Sequence, residues 1–131
     1  MEVLIVSQRK DLWNSLAPAF LTHSLQMEIV QSLAEGLSRI RSNPPVLAIL
    51  DTVGDEEKDR EAHIERARKE LTEILMVNAM VHSSVTTYLD EKSFHDALEG
   101  LGTLCALPPA PDPESIAKLA EALLAVQAVY N

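Results

Sequence analysis

The apolar positions of this chain fall in short blocks whose spacing changes from one block to the next. Val46-Leu47-Ala48-Ile49-Leu50 is apolar throughout, follows Pro44-Pro45 and stops abruptly at Asp51. Prolines end a preceding helix, and an apolar run without alternation predicts a strand buried on both faces. Glu2-Val3-Leu4-Ile5-Val6 ends at Ser7 and predicts a second interior strand. After the polar break Ser7-Gln8-Arg9-Lys10, residues Leu12, Leu16 and Phe20 recur four apart with Trp13 and Ala17 beside them, the stripe of one amphipathic helix. Leu25-Gln26-Met27-Glu28-Ile29 alternates, which suits an edge strand solvated on one side.

Ser32 with Glu35 three residues later makes a capping pattern, and Leu33, Leu37 and Ile40 mark the buried face of a helix that Asn43-Pro44-Pro45 ends. A charged helix is expected from about Asp55 to Glu73, with Ile64, Ala67, Leu71 and Ile74 as a narrow stripe and pairs such as Glu56 with Arg60 and Glu65 with Lys69 on its solvated side. Ile74 to Val81 is expected as the fourth strand; Asn78 lies among its apolar residues and needs hydrogen-bond partners if buried. A polar loop, His82 to Thr87, leads to a helix from about Tyr88 to Glu99 that ends at Gly100 or Gly102. Tyr88, Phe94, Leu98 and Leu101 belong to core and helix packing rather than a ligand box. Thr103-Leu104-Cys105-Ala106-Leu107 is the fifth strand, and the proline-rich turn behind it delivers Asp112 as an N-cap with Pro113 at the first helical position. Ile116, Leu119, Leu123, Val126 and Tyr130 trace the last helix.

Strand and helix thus alternate five times, which predicts an α/β protein: a three-layer α/β/α sandwich on a five-stranded parallel sheet with right-handed crossovers. The edge character of the second strand favours the flavodoxin-like order 2-1-3-4-5, with strands 1 and 3 adjacent and their carboxyl ends at the switch point where such sheets place their chemistry. Asp51 falls at that point.

Composition narrows the function classes. At 131 residues the chain matches one domain, and no effector domain is expected. A net charge of −9 opposes nucleic-acid binding. No apolar stretch approaches the ~20 residues of a membrane span, and Met1-Glu2-Val3-Leu4 lacks a basic secretion start, so a cytoplasmic location is expected. The single Cys105, among Leu104, Ala106 and Leu107, reads as a small hydrophobe. His23, His63, His82 and His95 lack metal-ligand spacing and default to the surface; His82, next to the expected site, could sense pH or hydrogen-bond Asp51. Asp51, Asp55, Glu56 and Glu57 cluster beyond strand 3, where Asp55 onward reads as a helix cap. No glycine-rich turn follows strand 1, which argues against a phosphate cradle, and no nucleophile elbow surrounds a serine.

Along nearly its whole length the chain resembles the receiver domain of bacterial response regulators, through its element order, its size and the ending Leu47-Ala48-Ile49-Leu50-Asp51. That resemblance implies a phosphoacceptor aspartate at Asp51. It also implies a magnesium-holding acidic pair after strand 1, a Thr or Ser after strand 4, and a Lys followed by Pro after strand 5. The acidic pair falls on Ser7 and Gln8, the hydroxyl on Ser83 or on His82 beside it, and the Lys-Pro step on Leu107-Pro108; an aromatic switch residue would fall near Leu104. Charge is missing at every one of these positions except Asp51, and a hard dication wants carboxylate oxygens. The resemblance is therefore to a degenerate, pseudo-receiver-like domain. What it implies is a stand-alone domain, not an enzyme, that signals by phosphorylation-independent protein–protein contact without a cofactor or metal. The helix 4, strand 5, helix 5 face is the expected contact surface, with Leu119, Leu123, Val126 and Tyr130 as candidates and a homodimer as one use of it. The alternatives are a functional receiver phosphorylated on Asp51 with Mg2+, and a flavodoxin-like small-ligand binder.

Overall fold

A computed structural model describes residues 1–52 and 59–130, with side chains as far as residue 128. Five parallel strands, β1 (Glu2–Val6), β2 (Gln26–Val30), β3 (Leu47–Leu50), β4 (His82–Thr86) and β5 (Thr103–Leu107), form one sheet in the order β2-β1-β3-β4-β5. This is the expected flavodoxin-like order, and the alternating strand does lie at an edge. The helices are α1 (Lys10–Ser15), α2 (Ala17–Thr22), α3 (Leu33–Ser42), α4 (Arg60–Val77), α5 (Glu91–Leu98) and α6 (Pro113–Tyr130).

Successive strand residues face opposite sides, and each side builds its own core. Val3, Ile5, Leu47 and Ile49 pack with Trp13, Phe20, Ile116, Leu119 and Leu123 from α1, α2 and α6. Leu4, Ala48, Leu50 and Val85 pack with Ile40, Leu71, Ile74, Phe94 and Leu98 from α3, α4 and α5. All four residues of β3 are buried, as its unbroken apolar run requires. The helix α3 lies close against β1 because Gly36 has no side chain; a Cβ there would stand 2.9 Å from Val6.

The boundaries expected around the fourth strand are corrected. Residues 74–77 belong to α4, because Ile74 continues the buried stripe of Ala67 and Leu71 at helical spacing. Asn78 caps that helix: its amide donates to the Ile74 carbonyl at 2.9 Å, and its side-chain oxygen accepts from the Met80 amide at 2.9 Å. The strand is instead His82-Ser83-Ser84-Val85-Thr86, the segment expected as a loop. The first helix is also two: Pro18, in the first turn of α2, has no N–H to continue α1, and the chain bends at Leu16. The α5 helix starts at Glu91, with the Asp90 side chain accepting from the Ser93 amide at 2.7 Å. Asp112 and Pro113 stand as expected, the Asp112 carboxylate accepting from the Ser115 amide at 2.9 Å. For α4 the cap is Asp59, which accepts from the Ala62 amide at 3.1 Å; the cap expected at Asp55, with Glu56 and Glu57, lies outside the described residues.

Candidate functional site around Asp51

Because β1 and β3 pair with Val6 opposite Leu50, Ser7 and Asp51 leave the sheet side by side, and the Asp51 amide donates to the Val6 carbonyl at 2.9 Å. On the other flank Leu50 pairs with Val85, which brings Thr86 beside Asp51. Asp51 Oδ2 accepts from Ser7 Oγ at 2.6 Å, Arg9 Nε at 2.9 Å and Trp13 Nε1 at 2.8 Å. Its Oδ1 accepts from Arg9 Nη2 at 2.7 Å and Thr86 Oγ1 at 2.8 Å. The Asp51 side chain is 1% exposed and the Arg9 side chain 31%.

The hydroxyl directions follow from chemistry. The Arg9 amide donates to Ser7 Oγ at 2.8 Å and the Thr52 amide to Thr86 Oγ1 at 3.0 Å. An amide can only donate, so each hydroxyl is left to give its own proton to Asp51. The Thr52 hydroxyl in turn donates to the Thr86 carbonyl at 2.9 Å. Burial by itself would raise the Asp51 pKa, but the Arg9 guanidinium, helped by Ser7, Trp13 and Thr86, holds it below the ordinary value of 3.8. Asp51 is thus an ionised, neutralised carboxylate. A carboxylate offers about four lone-pair directions, and five N–H or O–H donors already point at this one.

The network continues from Thr86 into its neighbour. The Thr87 amide donates to the Leu107 carbonyl at 2.9 Å, and its Oγ1 accepts from the Leu89 amide at 3.1 Å and lies 2.8 Å from His63 Nε2. His63 is 7% exposed, so the surface default fails for this histidine: it sits inside, between α4 and the turn before α5.

Of the residues singled out in the sequence, the structure joins Asp51 and Ser7 directly and sends Gln8 elsewhere, its amide donating to the Gln31 carbonyl. His82 and Ser83 are corrected as site positions: they pair with Leu47 and Ala48 near the start of β3, at the opposite end of the strands from Asp51. The hydroxyl at the site is Thr86, which the shifted fourth strand had hidden. Leu107 does end β5, opposite Thr86, and is buried in the core with Val3 and Ile116, so no cation stands there; Pro108 follows it, exposed. Leu104 is partly buried against the same core. Arg9 and Trp13 were missed. The legible signal was Arg9 two residues beyond Ser7, and Trp13 four beyond Arg9, where one helical turn brings both back over the strand end.

The expected contact residues divide as well. Leu119 and Leu123 are core residues at 0% and 1% exposure, Val126 is half-buried, and the Tyr130 side chain lies outside the described residues. Tyr88, assigned to packing, is 50% exposed, whereas Phe94 and Leu98 are core and Leu101 packs against them. Cys105 is half-buried; burial pushes its thiol pKa up, with the Ser84 hydroxyl opposing. Among the described residues no helix is long and apolar enough to cross a membrane.

No protein-family model matches this sequence, and no curated protein matches it. Solved structures do. A response regulator receiver domain protein (CheY-like) from Methanospirillum hungatei JF-1 superposes with a TM-score of 0.72 at 17% identity, covering 99% of this chain and 98% of that one. A two-component response regulator from Clostridium difficile gives 0.65 at 18% identity, covering 95% of each chain. A CheY-like protein (tadZ) from Pseudomonas aeruginosa PAO1 gives 0.67 at 10% identity over 94% of this chain and 92% of that one. With the sheet order and the carboxylate at the end of β3, these likenesses give the chain the fold of CheY-like response regulator receiver domains.

Proposed function

We propose that the chain is an atypical receiver-like signalling domain that works by protein–protein contact without phosphorylation of Asp51. The fold is shared with unrelated activities, so the reading rests on the site. The observation that carries it is the filled coordination of Asp51: both oxygens hold donors, and a two-toothed Arg9 pair neutralises the charge. Attack on a phosphoryl donor needs a free lone pair on that carboxylate and cationic help for the transferred group. Here Leu107 is apolar and buried, and Arg9 is spent on the carboxylate itself.

The described residues, which do not include Asp55, Glu56 and Glu57, do not fit a magnesium ion. Ser7 turns its proton toward Asp51, Gln8 is occupied with the Gln31 carbonyl, and Asp51 has no oxygen free for a hard cation that prefers near-octahedral oxygen ligands. Asp51 acts instead as a structural anchor that ties the segments after β1, β3 and β4 together through Ser7, Arg9 and Thr86. The test is incubation with acetyl phosphate and magnesium followed by intact mass. The expected spectrum is unmodified protein; a phosphoryl adduct that Asp51→Asn removes overturns the reading.

A further inference from the structure

Two carboxylates, Asp51 and Glu70, line one small pocket at the carboxyl end of the sheet, and their surroundings are opposite. Asp51 holds five donors. The Glu70 side chain, on α4 and only 14% exposed, has one ion pair among the described residues, with Arg66 Nε at 3.4 Å, and the Arg66 side chain is itself 56% exposed. Burial pushes the Glu70 carboxyl above its ordinary value of 4.5, against the pull of Arg66. A carboxylate drawn out of water with so loose a partner is costly, and a ligand cation would relieve that cost. The pocket holds about 140 Å³, well under the ~300–1,000 Å³ of cofactor-sized sites, so its occupant has few heavy atoms. Ser32 and Leu33, the cap and first residue of α3, form another side of it. Ser32 Oγ accepts from the Glu35 amide at 3.2 Å, which leaves its own proton to give, and the Leu33 amide, in the first turn, has no carbonyl to bond within the helix. Gln8 lines the pocket too; with its side-chain amide on the Gln31 carbonyl, its Oε1 remains an acceptor. Val6 and Leu33 add half-buried apolar surface.

Going beyond the protein-contact reading, and not dependent on it, we propose that this pocket binds a small zwitterion, an α-amino acid with a short side chain. Its ammonium meets Glu70 and Gln8 Oε1, and its carboxylate meets the Ser32 hydroxyl and the Leu33 amide at the positive end of α3. The charges select this class. Arg9 already neutralises Asp51, so Glu70 is the carboxylate of this pocket left to attract a cation. A bare anion would face Glu70, and a bare amine would leave the donors at the start of α3 unused; an amino acid answers both. Bound there, it would join the start of α3 to the middle of α4, two helices that pack on the same core.

The probes are glycine, L-alanine and L-serine, with propionate and ethylamine as alanine analogues that keep one charge each. NMR of the full chain follows the Leu33 amide and the Glu70 carboxyl carbon. At least one amino acid is expected to shift both signals saturably, in the millimolar range or below. Propionate and ethylamine are expected to bind at least tenfold more weakly. Glu70→Gln, which keeps the shape and removes the charge, should weaken the amino acid at least tenfold, while Glu65→Gln, exposed on the same helix, leaves it within twofold. No saturable shift with any of the three amino acids, equal binding of either single-charge analogue, or equal effects of the two substitutions overturns the proposal. The analogues are compared on the unmutated chain, so that readout stands even if Glu70→Gln folds poorly.

Discussion

Replacing Arg9 by Met removes the one cation that, among the described residues, is hydrogen-bonded to Asp51, and leaves a carboxylate that is 1% exposed with neutral donors from Ser7, Trp13 and Thr86. Stripping the partner from a fully buried ion pair costs about 3–5 kcal/mol. Arg9 is 31% exposed, so water can reach part of the vacated space, and Ser7, Trp13 and Thr86 still donate; about 2–3 kcal/mol is the expected loss near neutral pH. At roughly 4 °C per kcal/mol for a domain of this size, the melting temperature should fall by roughly 8–12 °C. The pH dependence carries a sign. The folded Asp51 pKa lies below 3.8, so its stabilisation is complete above that value and drains away as pH falls through the folded pKa. Without Arg9, burial dominates and the pKa rises, so the gap between the original chain and the variant should be widest near pH 7 and narrow toward pH 3. Urea unfolding at several pH values measures it. In an Asp51→Asn background the same Arg9 substitution should cost much less, because the charge it neutralises is gone. A loss under about 0.5 kcal/mol at pH 7, or an equal loss in both backgrounds, refutes the ion-pair account.

Thr86→Val keeps the shape of β4 but takes a donor from Asp51 and an acceptor from the Thr52 amide, so it should cost about 1–3 kcal/mol in chemical denaturation. Trp13 is the single tryptophan and gives its indole N–H to Asp51, so its fluorescence maximum and intensity should change in Asp51→Asn while far-ultraviolet circular dichroism does not; an unchanged spectrum counts against the Trp13–Asp51 contact. On α6, Leu123→Ala opens a core cavity and should cost about 2–5 kcal/mol, whereas its neighbour Leu124, 51% exposed, should tolerate Ser within about 0.5 kcal/mol by thermal melting.

The fold was legible where burial writes itself into a strand's own residues. β1 and β3 are unbroken aliphatic runs because both faces are covered, and β2 alternates because one side of an edge strand meets water. β4 escaped for the opposite reason. Its serines are buried although they are not hydrophobic, while the apolar run from Ile74 belongs to a helix whose stripe it merely continues. The error moved the expected hydroxyl from Thr86 to Ser83 and put His82 at the wrong end of the sheet.

At the site, the absent acids at Ser7 and Gln8 and the absent cation at Leu107 could be read from the chain. What replaced them could not. Whether Arg9 and Trp13 reach Asp51 depends on how the chain turns between β1 and α1, with the Arg9 amide bonded to Ser7 Oγ, and that turn has no periodic signature. Asp51 therefore looked merely unsupported from the sequence, whereas the structure gives it a dense set of donors, of which the resemblance implied only the hydroxyl that Thr86 supplies.

Everything above turns on Asp51 being an ionised carboxylate whose oxygens are already committed. Carboxyl-carbon NMR of Asp51, titrated with acid and then with magnesium, tests it most directly. The expected result is a midpoint below 3.8 and a resonance that magnesium leaves in place; a midpoint above that value, or a saturable magnesium-dependent shift, would show a carboxylate that is still free to react.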